Sequence, residues 1–467
     1  MYRFRSTKYL LDEEFNELEN QEIYFAPPEQ LNDPMEGLKD IFWQGDEILW
    51  KNFLKHYLLC LEHIVSIWTV IGEDIEINKN FIPMLKTDID LLTENHKQRF
   101  NEIKEKFFSN KCISSLPQLL ANRSSPIRIN ELATYLEFIH KFAFNSINLI
   151  YSKYGMMDRI KFYEDKVDNN ENLTMILEGA NRFDENDKLK YHSNKMFELI
   201  QNTNNEVRIL SRYKNKEKSY SNNELFIVID FPRAYLSKLD ELVYPKWYTA
   251  CFMNNYHNSS VWGNYGDNHK GVCLEFRTKN NKDNKLITLN QVMGCEVSSN
   301  LRKHEYEFKR VKYEKKFIEI DFFKSLGRHP YKSLKEQWYM EEGGNISKCL
   351  KSIKFDDDWR NLYWDNFYKS VTTKTIDWEY ECEYRIIIDD YFNKHDEKEK
   401  RKLKYNFCDL EGIIFGIKTS DFDKLKILEI IGKKCREIGR NNFNFYQAAY
   451  SHETGKIERI KLNLLKF

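Results

Sequence analysis

The sequence carries no excess of charge of either sign. Lysine and arginine together number 72, aspartate and glutamate together also number 72, and the formal net charge is zero. A protein that binds nucleic acid by neutralising phosphates usually has a basic surplus. The overall charge therefore argues against that class, although a local basic groove is compatible with it.

Cysteine motifs are also missing. No two cysteines stand at the C-x-x-C spacing, and no group of cysteines and histidines has the spacing of a zinc site. An odd number of widely spaced cysteines in a long chain favours reduced thiols over a disulfide framework. We therefore expect a cytoplasmic protein without a bound metal. The nine cysteines are Cys60, Cys112, Cys251, Cys273, Cys295, Cys349, Cys382, Cys408 and Cys435.

Long apolar runs are scarce as well. The N-terminal segment MYRFRSTKYLL lacks the apolar core of a signal peptide. The most apolar stretch, residues 57–71, is too short to span a bilayer and contains Glu62 and His63. We interpret this stretch as a buried helix and expect no membrane association.

Internal repeats and linkers rich in proline, glycine or serine are absent too. The composition is that of a globular protein. Of the 467 residues, 41% are hydrophobic and 15% aromatic, which is enough to build substantial cores. The length predicts two or three structural units.

Helical and strand-like patterns alternate along the chain. Apolar residues recur at helical spacing through residues 45–205, and residues 300–370 are charged and read as mostly helical. Short apolar or alternating runs elsewhere are typical of strands. We predict strands at 2–6, 22–26, 207–213, 225–231, 247–253, 271–277, 378–388, 410–418 and 456–462, and helices at 12–19 and 421–438.

These patterns predict an α+β fold with a split antiparallel β core and large helical insertions. The core is assigned to residues 1–44, 206–299 and 371–467, as its N-terminal, central and C-terminal parts. Residues 45–205 form one helical insertion, and residues 300–370 form a second, charged one.

The first candidate motif lies near the N-terminus. Arg3 and Arg5 alternate on a predicted strand and therefore share one side, which favours contact with anions or with a cleft. Asn32 and Asp33 precede Pro34, a combination that forms turns. The alternative is a surface strand followed by an ordinary turn.

The second candidate motif occupies residues 251–277. Trp262 and Tyr265 are three residues apart, so a short helical turn places both rings on one face. Exposed rings beside small polar residues such as Ser260 favour a stacking platform for a flat ligand, with His269 close by. The alternative is that these rings pack in the core and that His269 is a surface residue.

The third candidate motif is WEYECEYR at residues 378–385. Strand alternation predicts that Glu379, Glu381 and Glu383 share one face, where a carboxylate can act as an acid, a base or a stabiliser of positive charge. The alternative is a salt-bridged strand face, with partners drawn from Arg3, Arg5 and Arg385.

In order along the chain, these motifs read Y-R-x-R, I-Y-F-x-x-P-x-x-L-N-D-P, C-F…W-x-x-Y-x-x-x-H-x-G-V-C-L and W-x-Y-E-x-E-x-R. The sequence thereby resembles the bacterial family of unknown function 2971. The resemblance extends over residues 1–37, 247–277 and 374–418. The helical block at 45–205 is larger than that family implies.

A second resemblance is to the ADP-ribosyltransferases. It rests on Tyr2-Arg3, on Ser259-Ser260 through Tyr265 with Gly271 beginning the next strand, and on Glu381 and Glu383 before Tyr384-Arg385. This resemblance implies an ADP-ribosyltransferase-like core, NAD as the substrate and no metal.

The same resemblance implies a role for individual residues. Arg3 would hold the adenosine-ribose side of NAD, and Tyr265 would stack on nicotinamide. Glu383 would bond the nicotinamide ribose and stabilise the positive charge that develops on the sugar, while Glu381 would orient the acceptor. The other candidates for NAD binding are Tyr2, Arg5, Asn32, Asp33, Ser260, Trp262 and His269.

The expected function is therefore that of an ADP-ribosyltransferase or NAD glycohydrolase, in the setting of a bacterial toxin or anti-phage effector. The acceptor would be a protein or a nucleic acid, and the helical insertion would bind a regulatory protein. The alternative is a non-catalytic sensor that binds a nucleotide or a protein in the same cleft. An enzyme requires Glu383 and Tyr265 to face one pocket with Arg3 nearby, whereas a sensor allows the glutamates to be buried in ion pairs. A nuclease is disfavoured because no D-x-x-x-E-x-K pattern stands out.

Overall fold

The computed structural model describes residues 1–87, 90–91, 93–158, 170–184, 190–214, 220–281, 284–293 and 300–465. Contacts between residues divide the chain into two compact units. Unit 1 comprises Met1–Leu38, Lys246–Phe317 and Tyr368–Phe467, and unit 2 comprises Lys39–Pro245 and Ile318–Phe367. Both helices and antiparallel sheets are present, as the sequence predicted. The five-segment division remains a prediction.

Unit 1 is organised around an eight-stranded sheet that combines distant parts of the chain. Strand Tyr2–Arg5 lies between the strands of the second motif and pairs antiparallel with both. One pair, Leu410–Phe415 with Asn444–Tyr450, is parallel, and the others are antiparallel. The spatial order is Lys309–Arg310, Glu383–Asp390, Lys246–Met253, Tyr2–Arg5, Val272–Phe276, Leu410–Phe415, Asn444–Tyr450 and Ile457–Lys461.

A second sheet and a small parallel pair complete the strands described in unit 1. In the second sheet Asn284–Met293 pairs with three other strands. Its order is Glu22–Tyr24, Lys402–Tyr405, Asn284–Met293 and Lys279–Asn281. A further strand, Asn300–Glu307, also pairs with Asn284–Met293. The parallel pair is Lys312–Glu314 with Thr373–Thr375.

The helices of unit 1 are short, with one exception. The long helix, Asp421–Ile438, begins after Ser420, whose side chain caps the Asp423 amide, and ends at Gly439 in a left-handed conformation. The α-helices are Thr7–Leu11, Glu17–Asn20, Ser259–Tyr265 and Asp421–Ile438, and the 3-10 turns are Pro28–Gln30, Ile376–Glu381, Lys398–Arg401 and Phe407–Asp409.

Both faces of the eight-stranded sheet carry apolar clusters. On one face Phe252, Leu274 and Ile413 pack with residues of the second sheet and with Ile427 and Ile431 of the long helix. The other face packs Phe4, Met253 and Cys273 against Trp262 of the helix Ser259–Tyr265. The second motif is therefore fixed to the sheet by its tryptophan.

Unit 2 is mainly helical. Its small sheet joins Asp40–Trp43 to Glu319–Asp321 in parallel and to Ile127–Arg128 in antiparallel orientation. The α-helices are Glu47–Ile71, Glu94–Phe108, Lys111–Ala121, Ile129–Lys153, Asn170–Asp184, Lys190–Lys214, Asn222–Leu225, Phe231–Lys238, Asp240–Val243, Tyr331–Leu334, Lys348–Ser352 and Asp357–Val371, the last of which continues past Phe367. The 3-10 turns are Lys79–Phe81 and Phe322–Lys324, and Phe226–Asp230 and Lys335–Tyr339 are π-helical.

The helix Glu47–Ile71 contains the apolar stretch that the sequence predicted to be a buried helix. It has 25 residues and begins ten residues before the predicted stretch. By length and composition alone it is long enough to cross a membrane, a test that core helices of soluble proteins also pass. Of its most apolar part, 56% is buried in the protein, as in a core helix.

Two predicted strands are helical in the structure. Residues 207–213 lie in the helix Lys190–Lys214, and residues 225–231 lie in a continuous helical run that includes a π-helical turn. A short apolar run is compatible with either a strand or a buried helix segment. At both places the helix forms because of packing with the rest of the protein. The region 300–370, predicted mostly helical, instead begins with strands before its helices start at Phe322.

Gly271 leads to a prediction about the central strands. A Cβ at this position would lie 2.4 Å from the backbone oxygen of Arg5 on the neighbouring strand. We expect Gly271→Ala to lower the free energy of unfolding by about 1–3 kcal/mol through overpacking. Gly263, within a helix, has no atom within 4 Å of such a Cβ. Gly263→Ala should therefore raise stability by up to about 1 kcal/mol.

Urea unfolding followed by tryptophan fluorescence compares the two variants with the parent protein. Equal stabilities of Gly271→Ala and Gly263→Ala would contradict the close approach of these strands.

Candidate functional site

Unit 1 contains a buried ion cluster, formed by Glu36, Lys374, Glu381, Glu383 and Arg385. The Lys374 Nζ lies 2.8 Å from Glu381 Oε2, 2.7 Å from Glu383 Oε2 and 3.2 Å from Glu36 Oε1. Arg385 reaches Glu383 Oε1 with Nε at 2.9 Å and Glu36 Oε1 with Nη2 at 2.6 Å. Each of these side chains is at most 2% exposed. With every group ionised, three negative and two positive charges leave the cluster a net charge of −1.

The chain reaches this arrangement by breaking the strand predicted at 378–388. Residues Ile376–Glu381 form a 3-10 turn, Cys382 adopts a left-handed conformation with φ 48°, and the strand begins only at Glu383. This turn brings Glu381 and Glu383 to the same lysine and leaves Glu379 exposed. The prediction that all three glutamates share one strand face is therefore wrong.

The charges of the ion cluster shift the pKa values of its members in different directions. Burial raises the pKa of a carboxyl group, but at Glu383 the attraction of Arg385 and Lys374 outweighs burial and lowers the pKa to about 2. At Glu381 burial dominates over Lys374 and raises the pKa. The pKa of Lys374 is raised because its carboxylate neighbours outweigh burial. Glu381 is therefore more readily protonated than Glu383, and its protonation would neutralise the cluster.

Tyrosines connect the ion cluster to the rest of the unit. The Tyr265 hydroxyl donates to Glu381 Oε1 at 2.7 Å, so the second and third motifs meet in space. The Tyr313 hydroxyl accepts from the Glu383 amide at 2.8 Å. Burial raises the pKa of Tyr265, with Glu381 adding to the shift, so Tyr265 remains a donor.

Three half-buried aromatic rings, Tyr265, Trp378 and Tyr380, form what we call the aromatic patch. The rings of Trp378 and Tyr380 have centroids 6.2 Å apart and an interplanar angle of 30°. The patch adjoins the ion cluster, because the Lys374 Nζ is 5.1 Å from the Trp378 ring centroid and Tyr265 bonds Glu381. Asn264 donates to the Tyr380 hydroxyl at 3.0 Å. The arrangement can present flat rings to a ligand above a negatively charged interior.

Trp262 does not form the expected stacking platform with Tyr265. Its ring is fully buried, its Nε1 donates to the Tyr256 carbonyl at 2.8 Å, and Phe4 packs against it edge-on. His269 lies parallel to Trp262 with centroids 6.5 Å apart. The short helix formed as predicted, but its tryptophan turns into the core and only the tyrosine stays partly exposed.

Ser260 is exposed at the start of this helix. Its amide donates to the Asn258 side chain at 2.8 Å, which caps the helix. The seryl hydroxyl is thus available at the surface rather than part of the ion cluster.

Arg3 and Arg5 share one side of their strand, and both have structural partners. The Arg3 Nη2 donates to the Tyr24 carbonyl at 3.1 Å, and the guanidinium lies 5.4 Å from the Phe252 ring centroid. Arg5 donates to Glu17 through Nε at 2.8 Å. Neither contacts the ion cluster in these interactions, so the partner of Glu383 among the proposed arginines is Arg385.

The other residues of the first motif are also engaged locally. The Tyr2 hydroxyl donates to Glu275 at 3.0 Å. Asp33 is buried and accepts from the Met35 amide at 2.9 Å, while Asn32 is exposed. This turn delivers Glu36 to the ion cluster, which is its clearest contribution to the site.

Sequence reasoning missed Lys374 and Glu36. Lys374 stands alone between threonines in the strand Thr373–Thr375, a position where alternation places one side chain inward. A lysine at an inward position of a strand is the feature by which the sequence could have identified Lys374. Glu36 follows the Asn-Asp-Pro turn with no pattern of its own. Among the described residues, no group of three or more histidine, cysteine or acidic side chains is arranged to hold a metal ion, and metal independence remains a prediction.

Comparison with known proteins gives one match. Residues 261–386 match the model of a family described as Protein of unknown function (DUF2971). The chain is similar to this family over roughly a quarter of its length. The match confirms, over this segment, the first resemblance noted in the sequence, and it includes Tyr265, Lys374, Glu381, Glu383 and Arg385. No curated protein and no solved structure matches the chain.

Lys374 leads to a stability prediction. Lys374→Met removes a shared cation and leaves buried carboxylates without compensation, so we expect a loss of about 3–5 kcal/mol in the free energy of unfolding. Lys369→Met, at an exposed position nearby in sequence, should change it by less than about 0.5 kcal/mol. Urea titration measures both. Similar stabilities of the two variants would contradict the ion cluster.

Glu383 leads to a prediction about pH. Its pKa rises from about 2 in the folded protein to an ordinary 4.5 in the unfolded chain, so its stabilising effect is complete above pH 4.5 and is lost as the pH falls towards 2. The free energy of unfolding of the parent protein should therefore fall over that interval by up to about 3 kcal/mol more than that of Glu383→Gln. This figure assumes about 1.4 kcal/mol for each unit of pKa shift. Glu381 has a raised pKa, so its contribution to the free energy of unfolding falls as the pH rises above 4.5.

The exposed Glu379→Gln variant is the control. Urea unfolding at several pH values between 2 and 6 provides the measurement. Parallel pH profiles for the parent and Glu383→Gln would contradict an ionised Glu383 in the folded protein.

Proposed function

We propose that unit 1 is a nucleotide-binding sensor module whose glutamates stabilise the fold and whose aromatic patch binds the ligand. The observation that carries this proposal is the bonding of both carboxylates. Glu381 bonds Tyr265 and Lys374 with its two oxygens, and Glu383 bonds Arg385 and Lys374. A carboxylate that stabilises a developing sugar cation needs an oxygen facing the substrate.

The charge beneath the aromatic patch indicates the kind of ligand. With every group ionised the ion cluster has a net charge of −1, and the electron-rich faces of tyrosine and tryptophan attract cations. Oxidised NAD combines a flat, positively charged nicotinamide ring with a nucleotide. We therefore propose NAD as the ligand, with nicotinamide on Tyr265 and the exposed hydroxyl of Ser260 nearby in the chain.

The second candidate is the enzyme that the ADP-ribosyltransferase resemblance implies. The hydrogen bond between Tyr265 and Glu381 favours it, because that resemblance places Tyr265 on nicotinamide and Glu381 at the acceptor, and so brings both residues to one site. In this hypothesis Glu383 would have to release Arg385 or Lys374 when NAD binds. An ADP-ribosyltransferase-like core, a protein or nucleic-acid acceptor, a toxin or anti-phage role and a cytoplasmic location all belong to this second proposal.

Binding of NAD to the full chain tests the sensor. Isothermal titration should detect NAD binding by the parent, retention of affinity in Tyr265→Phe, and a loss of about tenfold in Tyr265→Ala, since stacking on an aromatic ring is worth about 1–3 kcal/mol. Tyr450→Ala removes another exposed tyrosine and should bind normally. Absence of NAD binding by the parent protein would overturn the proposal.

Release of nicotinamide from NAD separates the two candidates. The sensor predicts binding without release, in buffer and with cell lysate as a source of acceptors. Release by the parent that disappears in Glu383→Gln, with the circular dichroism of the two proteins matched, would replace the sensor with the enzyme.

A further inference from the structure

Unit 2 contains a groove of about 400 Å³. Its walls come from the helices Glu47–Ile71 and Glu94–Phe108 and from the segment after the π-helical turn Lys335–Tyr339. Lys51 and Lys55, four residues apart on one helix, share a face, and Lys104 comes from the other helix. Phe108 and Met340 provide apolar surface. The volume is that of a site for a small organic molecule.

A short hairpin rises beside this groove. Met340 and Ile346 pair at its base, and the Glu341 amide donates to the Asn345 carbonyl at 3.1 Å. Asn52 secures the base, since its Nδ2 donates to the carbonyls of Trp338 at 2.9 Å and Met340 at 3.0 Å. The base of the hairpin is therefore held by the helix Glu47–Ile71.

The tip of the same hairpin is exposed and contains two glycines. Gly343 and Gly344 are exposed, and Gly344 has φ +81° with nothing within 4 Å of the position of a Cβ. Two adjacent glycines give the backbone more conformations than any other pair of residues. The hairpin thus combines a fixed base with an exposed tip whose two glycines permit a change of conformation.

The hairpin tip places a carboxylate on one lysine of the groove. Glu342 forms an ion pair with Lys104, and its side chain is 73% exposed although that of Lys104 is only 17% exposed. The hydrogen bond from Lys104, together with the charges of Lys55 and Lys51, lowers the pKa of Glu342. Glu342 is therefore a largely exposed anion paired with Lys104, in a groove that Lys51 and Lys55 also line.

We infer that the groove binds a small phosphate monoester, whose phosphate displaces Glu342 from Lys104 while the hairpin tip moves aside. A phosphate dianion offers three acceptor oxygens and a larger charge than one carboxylate, and lysine is a common phosphate ligand. The organic part of the monoester packs on Phe108 and Met340. In the unliganded protein, Glu342 occupies the anion position as an internal competitor.

The remaining charges of the groove limit the size of the ligand. Glu105, Glu336 and Glu341 also line it, so Lys51, Lys55 and Lys104 share the groove with further carboxylates. These carboxylates would repel an extended polyanion such as a nucleic acid. A compact ligand with a single phosphate fits this distribution.

Phenyl phosphate is a suitable probe because it combines one phosphate with a ring. Isothermal titration of the full-length protein should show binding, and Glu342→Gln should bind about fivefold more tightly because the competing carboxylate is removed. The double variant Lys51→Gln/Lys55→Gln should bind at least tenfold more weakly than Glu342→Gln. Lys97→Gln, on the same helix as Lys104 but paired with Glu94, serves as a matched control and should bind like the parent.

The inference is overturned if Glu342→Gln binds phenyl phosphate no better than the parent, or if Lys51→Gln/Lys55→Gln binds as well as the control. Titration with phenol distinguishes a phosphate site from apolar binding, and equal affinities for phenol and phenyl phosphate would also overturn it. Matched circular dichroism spectra establish that each variant is folded.

Discussion

Three carboxylates share the ammonium group of Lys374, and unit 1 depends on this interaction more than on any other described for the site. It joins the turn that follows Asp33, the strand Thr373–Thr375 and the strand that begins at Glu383. Burying such charges costs several kcal/mol in desolvation for each ion, and only complete pairing offsets that cost. We interpret the ion cluster as a specificity element, because any other arrangement of these segments would leave a buried charge unpaired.

The same interaction decides what the third motif can do. The sequence predicted three glutamates on one face of a strand. The left-handed turn at Cys382 separates them, and the two buried ones form ion pairs with Lys374 and Arg385. The surface next to them carries the aromatic patch. In the proposed sensor the rings, rather than these glutamates, would contact the ligand.

Local signals were sufficient for some elements and not for others. The helix Asp421–Ile438 was predicted with its observed bounds from its amphipathic pattern, and in the structure Ser420 and Gly439 mark its ends. Residues 207–213 were assigned to a strand because no local feature separates a short apolar run from the last turns of a long helix. The meeting of Tyr265 with Glu381 followed from combining distant motifs, whereas the roles of Lys374 and Glu36 depend on packing between segments that no local pattern connects.

The order of strands in the large sheet has a consequence for how the chain folds during its synthesis. Tyr2–Arg5 pairs with Val272–Phe276, roughly 270 residues later, and the sheet further requires Glu383–Asp390 and Ile457–Lys461. The strand Tyr2–Arg5 must therefore wait for its partners until residues 246–276 have been synthesised, whereas the helices between residues 47 and 153 have local partners at once. High contact order of this kind slows folding and leaves strand edges exposed. Unit 1 is accordingly the part of the nascent chain that has the greatest need of a chaperone.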